Sequence, residues 1–287
     1  MSKTTSLEAP RSWTTMAIMG TGLVFSIIAL WFLVTTQQSQ PTEHTFTLMT
    51  YNLRHGEGMD GTIDLKRQAD AMLLHNPDLI ALQEMDVHTR RSGDVDQPKT
   101  LGTLTARYAT FASHMDYQGG QYGLAILSRQ PPSRVLPVTL RAGSLEPRVA
   151  LLVEASLRRI PVIFGSVHLD WLADDSKRME QTQDLIAAFE SHRGTLCILA
   201  GDLNDTPDSR VLKAFMDAGF IACLPEVPPP FSFGNPVPTK TIDYVLVRGT
   251  SSHEILALKS KVPEEPMASD HRPVVSTLTL RVPADLR

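Results

Sequence analysis

Short hydrophobic runs separated by polar turns recur along the chain from about residue 45 onward. Most of these runs are rich in Val, Ile and Leu and are bounded by Gly, Pro or Asp, which is typical of β-strands. The pattern predicts a strand in each of the segments 45–53, 78–84, 123–128, 149–157, 161–169, 195–203, 241–247 and 273–280.

Three segments between these runs space their apolar residues as one face of a helix does. Two of them cover residues 63–74 and 176–189. The third covers residues 207–218, where Thr206 is a suitable N-cap and a Pro occupies the first helical position. Strands and helices therefore interleave without the strict alternation of a barrel. The predicted fold is an α/β sandwich, in which two packed sheets carry helices on their outer faces.

The N-terminal segment differs from the rest because residues 13–34 form one long apolar run without a charged side chain. As a helix this run would be about 33 Å long, which is enough to cross the hydrocarbon core of a bilayer. Lys3 and Arg11 precede it, and basic flanks face the cytoplasm. We therefore expect a single-pass membrane protein whose main domain lies in the periplasm or outside the cell. The predicted divisions are a cytoplasmic N-terminus (1–12), a transmembrane helix (13–34), a linker (35–44) and a globular domain (45–287).

Two alternatives for the apolar N-terminal segment stay open. A cleaved signal peptide would have an apolar region of about 7–15 residues and a cleavage site similar to Ala-x-Ala. Residues 34–37 offer no such site. A buried core helix is the second alternative, which the polar segment 37–42 disfavours.

The charge balance changes the expected class of ligand. The chain has 27 Lys and Arg against 31 Asp and Glu, a formal net charge of −4. A protein that binds many phosphates of a polynucleotide is usually basic, because counterion release drives that binding. The composition therefore argues against a dedicated nucleic-acid-binding protein, although it leaves room for a local basic groove.

The two cysteines, Cys197 and Cys223, leave two interpretations open. Cys197 lies in an apolar run, where a small buried thiol is the ordinary expectation. In an exported domain the pair can instead oxidise to a disulfide. Because no histidines occur at a matching spacing, the two cysteines do not indicate a zinc site.

Polar and ionisable residues cluster at the points where the hydrophobic runs stop. Charged groups are expensive to bury unless they are paired or bind a metal. Their position at strand ends, rather than on solvated helix faces, predicts that they converge on one site. These residues are Asn52, Glu84, His168, Asp202, Asn204, Asp243, Asp270 and His271.

An ordered set of motifs contains these residues. In chain order the motifs are TYNLR (50–54), LQE (82–84), QYGLAILSR (121–129), EPR (146–148), SVHLD (166–170), GDLNDTP (201–207), TIDYVLV (241–247) and SDHRP (269–273). Over residues 45–281 the set resembles the endonuclease/exonuclease/phosphatase superfamily, in a bacterial membrane-anchored form. Each motif alone is weak, but their order makes the resemblance specific.

The resemblance implies a fold and a chemistry. The fold is a four-layer α/β sandwich of two mainly antiparallel sheets flanked by helices. The chemistry is hydrolysis of phosphoester bonds with a divalent cation, usually Mg²⁺, with Mn²⁺ as an alternative. By resemblance, Glu84 is the principal metal ligand, with Asn52 and Asp270 beside it. These hard oxygen ligands suit Mg²⁺, and the lack of a Cys and His cage argues against structural zinc.

The same resemblance assigns catalytic roles. His271 resembles the catalytic histidine and Asp243 the carboxylate that orients it. Asp202 and Asn204 resemble the pair that positions the attacking water and donates to the developing oxyanion. Whether His271 or Asp202 acts as the base stays open.

The substrate phosphate is expected to contact His168, Arg148 and Asn52. One position departs from the family pattern, because Gln121 stands where many relatives have an acidic residue. If residue 121 pairs with His168, loss of that negative charge favours the neutral ring, which then donates a hydrogen bond without carrying charge. Segments 90–97 and 116–123 adjoin strand ends and are candidates for substrate selection.

Simpler structural interpretations stay open for these residues. Asn52 can cap a turn, Asp243 can be an edge-strand charge, and Arg148 can be a surface residue. His168 can be a core histidine whose hydrogen bonds are satisfied. The other carboxylates can belong to capped turns or surface ion pairs, and these are Glu84, Asp202 and Asp270. The remaining histidines, among them His114, receive no function from the sequence.

The sequence therefore predicts a membrane-tethered, Mg²⁺-dependent phosphodiesterase or phosphatase outside the cytoplasm. Its substrate is expected to be a small molecule or a lipid-derived head group rather than nucleic acid. One alternative is an exported metal-dependent endonuclease, and another is a non-catalytic interaction module on the same scaffold. The oligomeric state is left open.

Overall fold

Two six-stranded sheets face each other in the part of the chain that the structure describes. The structure is a computed structural model, and it describes residues 41–141, 146–225 and 231–283. The strands are β1 (Thr42–Asn52), β2 (Leu79–Val87), β3 (Tyr108–Tyr117), β4 (Gly120–Ser128), β5 (Arg134–Thr139), β6 (Val149–Leu157), β7 (Ile160–His168), β8 (Leu196–Asp202), β9 (Ile221–Cys223), β10 (Asp243–Arg248), β11 (Glu254–Lys261) and β12 (Val274–Val282). The helices are α1 (Leu65–Leu73), α2 (Gln97–Thr105), α3 (Ser176–Glu190) and α4 (Arg210–Asp217).

Each sheet contains one parallel pair of strands among antiparallel neighbours. Sheet 1 has the order β11-β12-β1-β2-β4-β3, with β1 and β2 parallel. Sheet 2 has the order β5-β6-β7-β8-β10-β9, with β7 and β8 parallel. The carboxyl ends of parallel strands meet at one edge of a sheet. Asn52, His168 and Asp202, which end β1, β7 and β8, lie at the same end of the sandwich.

Three hydrophobic clusters hold the layers together. The first fills the space between the sheets and includes Phe46 and Phe164. The second packs α3 and α4 on the outer face of sheet 2 through Phe189 and Phe215, and the third packs α1 and α2 on sheet 1. The order of helices, sheet, sheet and helices agrees with the sandwich that the hydrophobic pattern predicts.

The hydrophobic pattern missed four strands, and these four are the sheet edges. They are β3 and β11 in sheet 1, and β5 and β9 in sheet 2. An edge strand is covered on fewer sides, so it needs fewer apolar residues. In β5, for example, exposed and half-buried positions replace the continuous buried run of an interior strand.

The helix expected over residues 207–218 begins later, at Arg210. Its N-cap is Ser209, whose hydroxyl accepts the backbone N–H of Leu212 at 3.2 Å. Thr206, the expected cap, donates instead to the Asp208 carboxylate. The expected cap position was therefore wrong by one helical turn, although the helix exists.

Two expectations that bear on export have different outcomes. The predicted transmembrane segment, residues 13–34, lies outside the described residues, and so does the rest of 1–40. Among the helices that the structure describes, none is long and apolar enough to cross a membrane. Cys197 and Cys223 are both buried thiols in the structure, which agrees with the ordinary expectation for Cys197.

Candidate active site

One buried amide joins the two sheets at the end where the parallel strands stop. Asn52 ends β1, and its Nδ2 donates to Glu84 Oε1 at 3.0 Å and to Asp202 Oδ2 at 3.1 Å. Its Oδ1 accepts the backbone N–H of Arg54 at 3.1 Å. Asn52 therefore caps a turn, as the simpler interpretation proposed, and also binds two carboxylates from different sheets.

Glu84 reaches the site because β2 is irregular at this point. The register between β2 and β4 shifts between Leu82 and Met85, and the φ angle of Glu84 is 57°. A positive φ costs a residue with a side chain about 1–2 kcal/mol. A β-bulge of this kind commonly re-aims a side chain next to an active site. Burial raises the pKa of Glu84 above the ordinary carboxyl value, although the bond from Asn52 opposes this.

His271 lies between two buried carboxylates. Its Nδ1 is 2.9 Å from Asp243 Oδ2, and its Nε2 is 3.6 Å from Asp202 Oδ2. Because ionised carboxylates only accept hydrogen bonds, this arrangement favours a ring that is protonated on both nitrogens. Burial lowers the pKa of His271, but the charges of Asp243, Asp202 and Asp270 outweigh it and raise that pKa to about 10. Asp243 is buried and β10 has a neighbour on each side, so the edge-charge interpretation was wrong.

Asp202 is the carboxylate that the other groups surround. Its Oδ1 accepts the backbone N–H of Asn204 at 2.9 Å, and its Oδ2 lies 3.5 Å from His168 Nε2. Burial and the charge of Asp243 raise the pKa of Asp202 to about 7, although His271 opposes this shift. A carboxylate that titrates near neutral pH can accept a proton from water.

Asn204 lies on the cavity wall directly after β8. Its φ angle is 51°, and its Nδ2 donates to the Leu169 carbonyl at 3.0 Å. An amide nitrogen carries two protons, so one of them stays available for an oxyanion.

Arg148 is a buried cation next to these groups. Only 2% of its surface is exposed, and its Nη2 pairs with Glu146 Oε2 at 3.0 Å. Its Nε and Nη1 have no hydrogen-bond partner among the described residues. The surface interpretation of Arg148 was therefore wrong. Unused donors on a buried guanidinium cost free energy, and an anion that binds there recovers it.

The conditional pairing of Gln121 with His168 does not occur in the structure. Gln121 is exposed in β4, whereas its neighbour Tyr122 faces the cavity. His168 is nevertheless neutral for a different reason. Burial, Arg148 and His114 hold the pKa of its ring well below the ordinary value.

Asp270 completes the acidic wall of the site. It is half-buried beside Arg54, whose Nε lies 3.8 Å from Asp270 Oδ2. Its negative charge raises the pKa of Glu84. The two carboxylates, together with the amide oxygen of Asn52, are oxygen donors of the kind that fits a hard divalent cation.

A second group of side chains also has the composition of a metal site. Within the described ranges, ligand atoms of Asp202, Asp243 and His271 lie within 4.8 Å of one another. In this group the histidine proton already bonds to Asp243, so the hydrogen-bonded arrangement serves proton transfer without a metal. The wall of Glu84 and Asp270 therefore fits the cation better.

A cavity of about 370 Å³ lies at this end of the sandwich. Seven of the predicted site residues line it, which are Glu84, Arg148, His168, Asp202, Asn204, Asp270 and His271. Sequence reasoning singled out most of the acidic and basic residues of its wall, and also the segments that supply Arg91, Tyr117 and Tyr122. It gave no role to Glu146, although the EPR motif contains it. It missed three uncharged side chains, which are Met115, Trp171 and Phe233.

Arg91 is fixed at the mouth of the cavity. Its Nε and Nη2 donate to the two oxygens of Asp86, both at 2.8 Å. Its guanidinium lies over the rings of Tyr117, at 4.5 Å, and Tyr122, at 5.1 Å. Asp86 is buried, so this pair holds two aromatic walls of the cavity in place.

Comparison with known proteins agrees with this geometry. A family model described as the Endonuclease/Exonuclease/phosphatase family matches residues 49–271, which include every residue of the site. The chain belongs to this family. It is therefore a metal-dependent phosphoric ester hydrolase, and the alternative of a non-catalytic module was wrong.

Solved structures show the same fold at low sequence identity. An endonuclease/exonuclease/phosphatase from Beutenbergia cavernae is 20% identical with a TM-score of 0.66, covering 84% of this chain and 72% of its own. Truncated Caenorhabditis elegans TDP2 is 19% identical with a TM-score of 0.63, covering 82% and 97%. A Bacteroides thetaiotaomicron mannosyl-6-phosphatase is 19% identical with a TM-score of 0.63, covering 81% and 99%. No curated protein matches the chain.

Proposed function

We propose that this family member is a Mg²⁺-dependent phosphodiesterase or phosphatase that acts on a small phosphoester. The observation that carries the proposal is the set of Asn52, Glu84, Asp202, Asp243 and His271 at one end of the sandwich, which hydrogen bonds and one ion pair of 3.6 Å connect. A cavity of about 370 Å³ is near the lower end of small-molecule sites, which span roughly 300–1,000 Å³. The net charge of −4 also favours a small phosphoester over a polynucleotide.

The metal fits the acidic wall of the cavity. Glu84, Asp270 and the amide oxygen of Asn52 would hold the cation, with Mn²⁺ as an alternative to Mg²⁺. When bound, the cation supplies Lewis-acid stabilisation of the negative charge on the phosphoryl oxygens. Every other part of the proposed mechanism depends on side chains of this chain.

The proton inventory favours Asp202 as the base. His271 faces carboxylates with both ring nitrogens, so it already holds its proton and is unsuited to take another. Asp202 accepts a proton from the attacking water, and the free amide proton of Asn204 stabilises the oxyanion that develops. Protonated His271, oriented by Asp243, donates a hydrogen bond from Nε2 to a phosphoryl or leaving-group oxygen.

Arg148 and His168 bind the phosphoryl group in this proposal. Arg148 has unused donors beside the cavity, and an oxyanion would satisfy them. His168 contributes a neutral donor from Nε2, the ring nitrogen that lies 3.5 Å from Asp202. Arg148 supplies the positive charge that attracts the phosphoryl group, and the neutral His168 ring adds a hydrogen bond to it.

The proposal also includes the membrane anchor at residues 13–34, with the catalytic domain outside the cytoplasm. In the described domain, Thr42 begins β1 and Asn52 ends it at the active site. Eleven residues of strand separate these points by about 33 Å, at roughly 3.3 Å per residue. The active site thus lies far from the end at which the linker joins the domain. This distance favours a free phosphoester over a head group that is still in the bilayer.

The experiment is a substrate panel with the purified full-length chain. We expect turnover of a generic phosphodiester or monoester, such as bis-p-nitrophenyl phosphate or p-nitrophenyl phosphate, that EDTA abolishes and Mg²⁺ restores. His271→Ala should lower turnover about 10²–10⁴-fold. Mannose 6-phosphate, a free lipid head-group phosphoester and plasmid DNA separate the substrate classes. Turnover that resists EDTA, or full activity of His271→Ala, would contradict the proposal, and plasmid nicking alone would favour the endonuclease.

A further inference from the structure

His114 lies at an irregular point of β3, an edge strand. The register between β3 and β4 shifts between Ser113 and Met115, so His114 is the extra residue of a β-bulge. Opposite the bulge the two strands lie so close together that a Cβ atom on Gly123 would be only 2.0 Å from the Ala112 carbonyl oxygen. Bulges re-aim side chains and are frequent next to active sites. This one turns His114 into the interior, where only 7% of it is exposed.

The ring of His114 connects the two sheets beside Arg148. Its Nδ1 accepts the backbone N–H of Val149 at 3.0 Å, and Val149 begins β6 directly after Arg148. A backbone N–H is always a donor, so Nδ1 of His114 carries no proton. Burial and the charge of Arg148 lower the pKa of His114 to about 3, which keeps the ring neutral. The proton of this neutral ring is therefore on Nε2.

The Nε2–H of His114 has no partner within the described part of the chain. Its neighbour Arg148 shares this property, since the Nε and Nη1 of Arg148 are also buried without described partners. Arg148 is close to His114, because Val149, the residue after Arg148, donates its backbone N–H to the His114 ring at 3.0 Å, and the charge of Arg148 lowers the pKa of that ring. Buried polar atoms are nearly always hydrogen-bonded, so unused donors that gather in one place indicate a ligand.

We propose that His114 is a positioning residue for Arg148 in the phosphate subsite. Its Nδ1 holds the start of β6, which follows Arg148, and its Nε2–H adds a neutral donor beside the guanidinium. An oxyanion bound by Arg148 is then held by donors from both sheets. The ligand class is a tetrahedral oxyanion, of which inorganic phosphate is the simplest. The inference deepens the proposed function and rests on it.

Three substitutions of His114 distinguish the role of Nδ1 from the role of Nε2. His114→Asn keeps an acceptor near the position of Nδ1 but removes the Nε2 donor. His114→Gln keeps a donor near Nε2 but removes the acceptor, and His114→Phe removes both while it keeps a ring against Tyr122. The full-length protein and each variant are titrated calorimetrically with inorganic phosphate in the presence of Mg²⁺. The KM and kcat for the best substrate and the unfolding temperature are measured beside this.

We expect His114→Asn to unfold near the parent temperature but to bind phosphate about five- to tenfold more weakly, as loss of one neutral hydrogen bond predicts. Its KM should rise by the same factor with kcat nearly unchanged. His114→Gln should unfold at a lower temperature but retain phosphate affinity, and His114→Phe should lose both.

Parent-like phosphate affinity and KM in His114→Asn would overturn the inference, because anchoring of β6 would then be the whole role. A folded His114→Gln that loses phosphate binding would overturn it as well, even if the Asn variant fails to fold. A parent enzyme that turns over substrate yet binds no phosphate contradicts this inference alone. A parent that neither hydrolyses phosphoesters nor binds phosphate contradicts the proposed function too.

Discussion

The two ends of the β-sandwich differ in how their charged groups are buried and paired. At the end where β1 and β8 stop, charged groups are buried, and atoms of Arg148 and Asp243 have no partner among the residues described. At the other end, the ion pair of Arg134 with Glu154, at 3.1 Å, is more exposed. The buried Arg107 and Arg248 at that end donate to backbone carbonyls, and only Nε of Arg107 has no described partner. The same sheets therefore carry a cluster of buried, incompletely paired charges at one end and mostly paired charged groups at the other.

The difference shows where this chain gives up stability. A buried charge without its full set of partners destabilises the fold, whereas an exposed ion pair contributes only about 0–1 kcal/mol. Unfavourable arrangements persist at sites where a ligand completes them, and the φ angle of Glu84 is another example. Substitutions at the active-site end should therefore change activity strongly, and equivalent substitutions at the other end should change little.

Asp202→Asn should give the largest effect. The value of kcat/KM should fall about 10²–10⁴-fold, because the proposed base is lost. The unfolding temperature should stay the same or rise, because one of two neighbouring buried negative charges is removed. Steady-state kinetics and thermal unfolding measure both. Glu154→Gln, at the opposite end, is the matched control, and an Asp202→Asn enzyme with more than about a tenth of parent activity would break the comparison.

Asn52→Ala should weaken metal binding. The Asn52 amide holds the Glu84 carboxylate at 3.0 Å, and loss of such a contact commonly costs about 10–100-fold in metal affinity. The Mg²⁺ concentration for half-maximal activity should rise by this factor in a titration of the EDTA-treated protein. Thr45→Ala, on the same strand at the other end, should leave it unchanged. If Asn52→Ala needs the same Mg²⁺ concentration as the parent, the assignment of the metal to the wall of Glu84 and Asp270 is contradicted.

The buried His114 at the active-site end should make the free energy of unfolding depend on pH in the acid range. Its pKa is about 3 when folded and about 6.5 when unfolded, so the unfolded chain binds more protons between these values. The contribution of His114 to the free energy of unfolding is then largest above pH 6.5 and falls by up to about 1.4 kcal/mol per pH unit as the pH drops.

His114→Phe should make this slope shallower between about pH 6 and pH 4, measured by urea denaturation at a series of pH values. His88→Gln, at an exposed loop position, is the control for loss of a histidine. Identical slopes for the parent and His114→Phe would mean that the folded protein admits a proton at His114.

Arg134→Ala should give the smallest effect. The pair with Glu154 is largely exposed, so the free energy of unfolding should change by less than about 1 kcal/mol and activity should not change. Chemical denaturation and kinetics check both values. A loss of activity would show that the two ends of the sandwich are coupled.

The sequence predicted the interior of the fold better than its edges. Buried strands such as β8 read as continuous apolar runs because both of their faces are covered. The four edge strands are covered on fewer sides, so they do not need a continuous apolar run, and the hydrophobic pattern does not predict them. Helix α2 was also missed, because its sequence QPKTLGTLT has low intrinsic helix propensity and depends on packing against sheet 1.

The candidate site shows the same division. Strand-end position identified Asn52, Glu84 and Asp202, because parallel strands bring their carboxyl ends together. Trp171 and Phe233 escaped notice because they reach the cavity from loops, whose paths local patterns do not specify. The sequence did not predict a role for His114, because a bulge in an edge strand turns it inward. The alternation of polar and apolar residues does not show where such an extra residue lies.

The most direct test of the account removes and returns the metal. Full-length protein stripped with EDTA is assayed on a generic phosphoester while Mg²⁺ is titrated back, beside Asp202→Asn and Glu154→Gln. The account predicts that Mg²⁺ restores turnover in the parent and in Glu154→Gln but not in Asp202→Asn. Equal recovery in all three proteins, or turnover that never depended on the metal, would contradict the assignment of the strand-end residues to metal-dependent phosphoester hydrolysis.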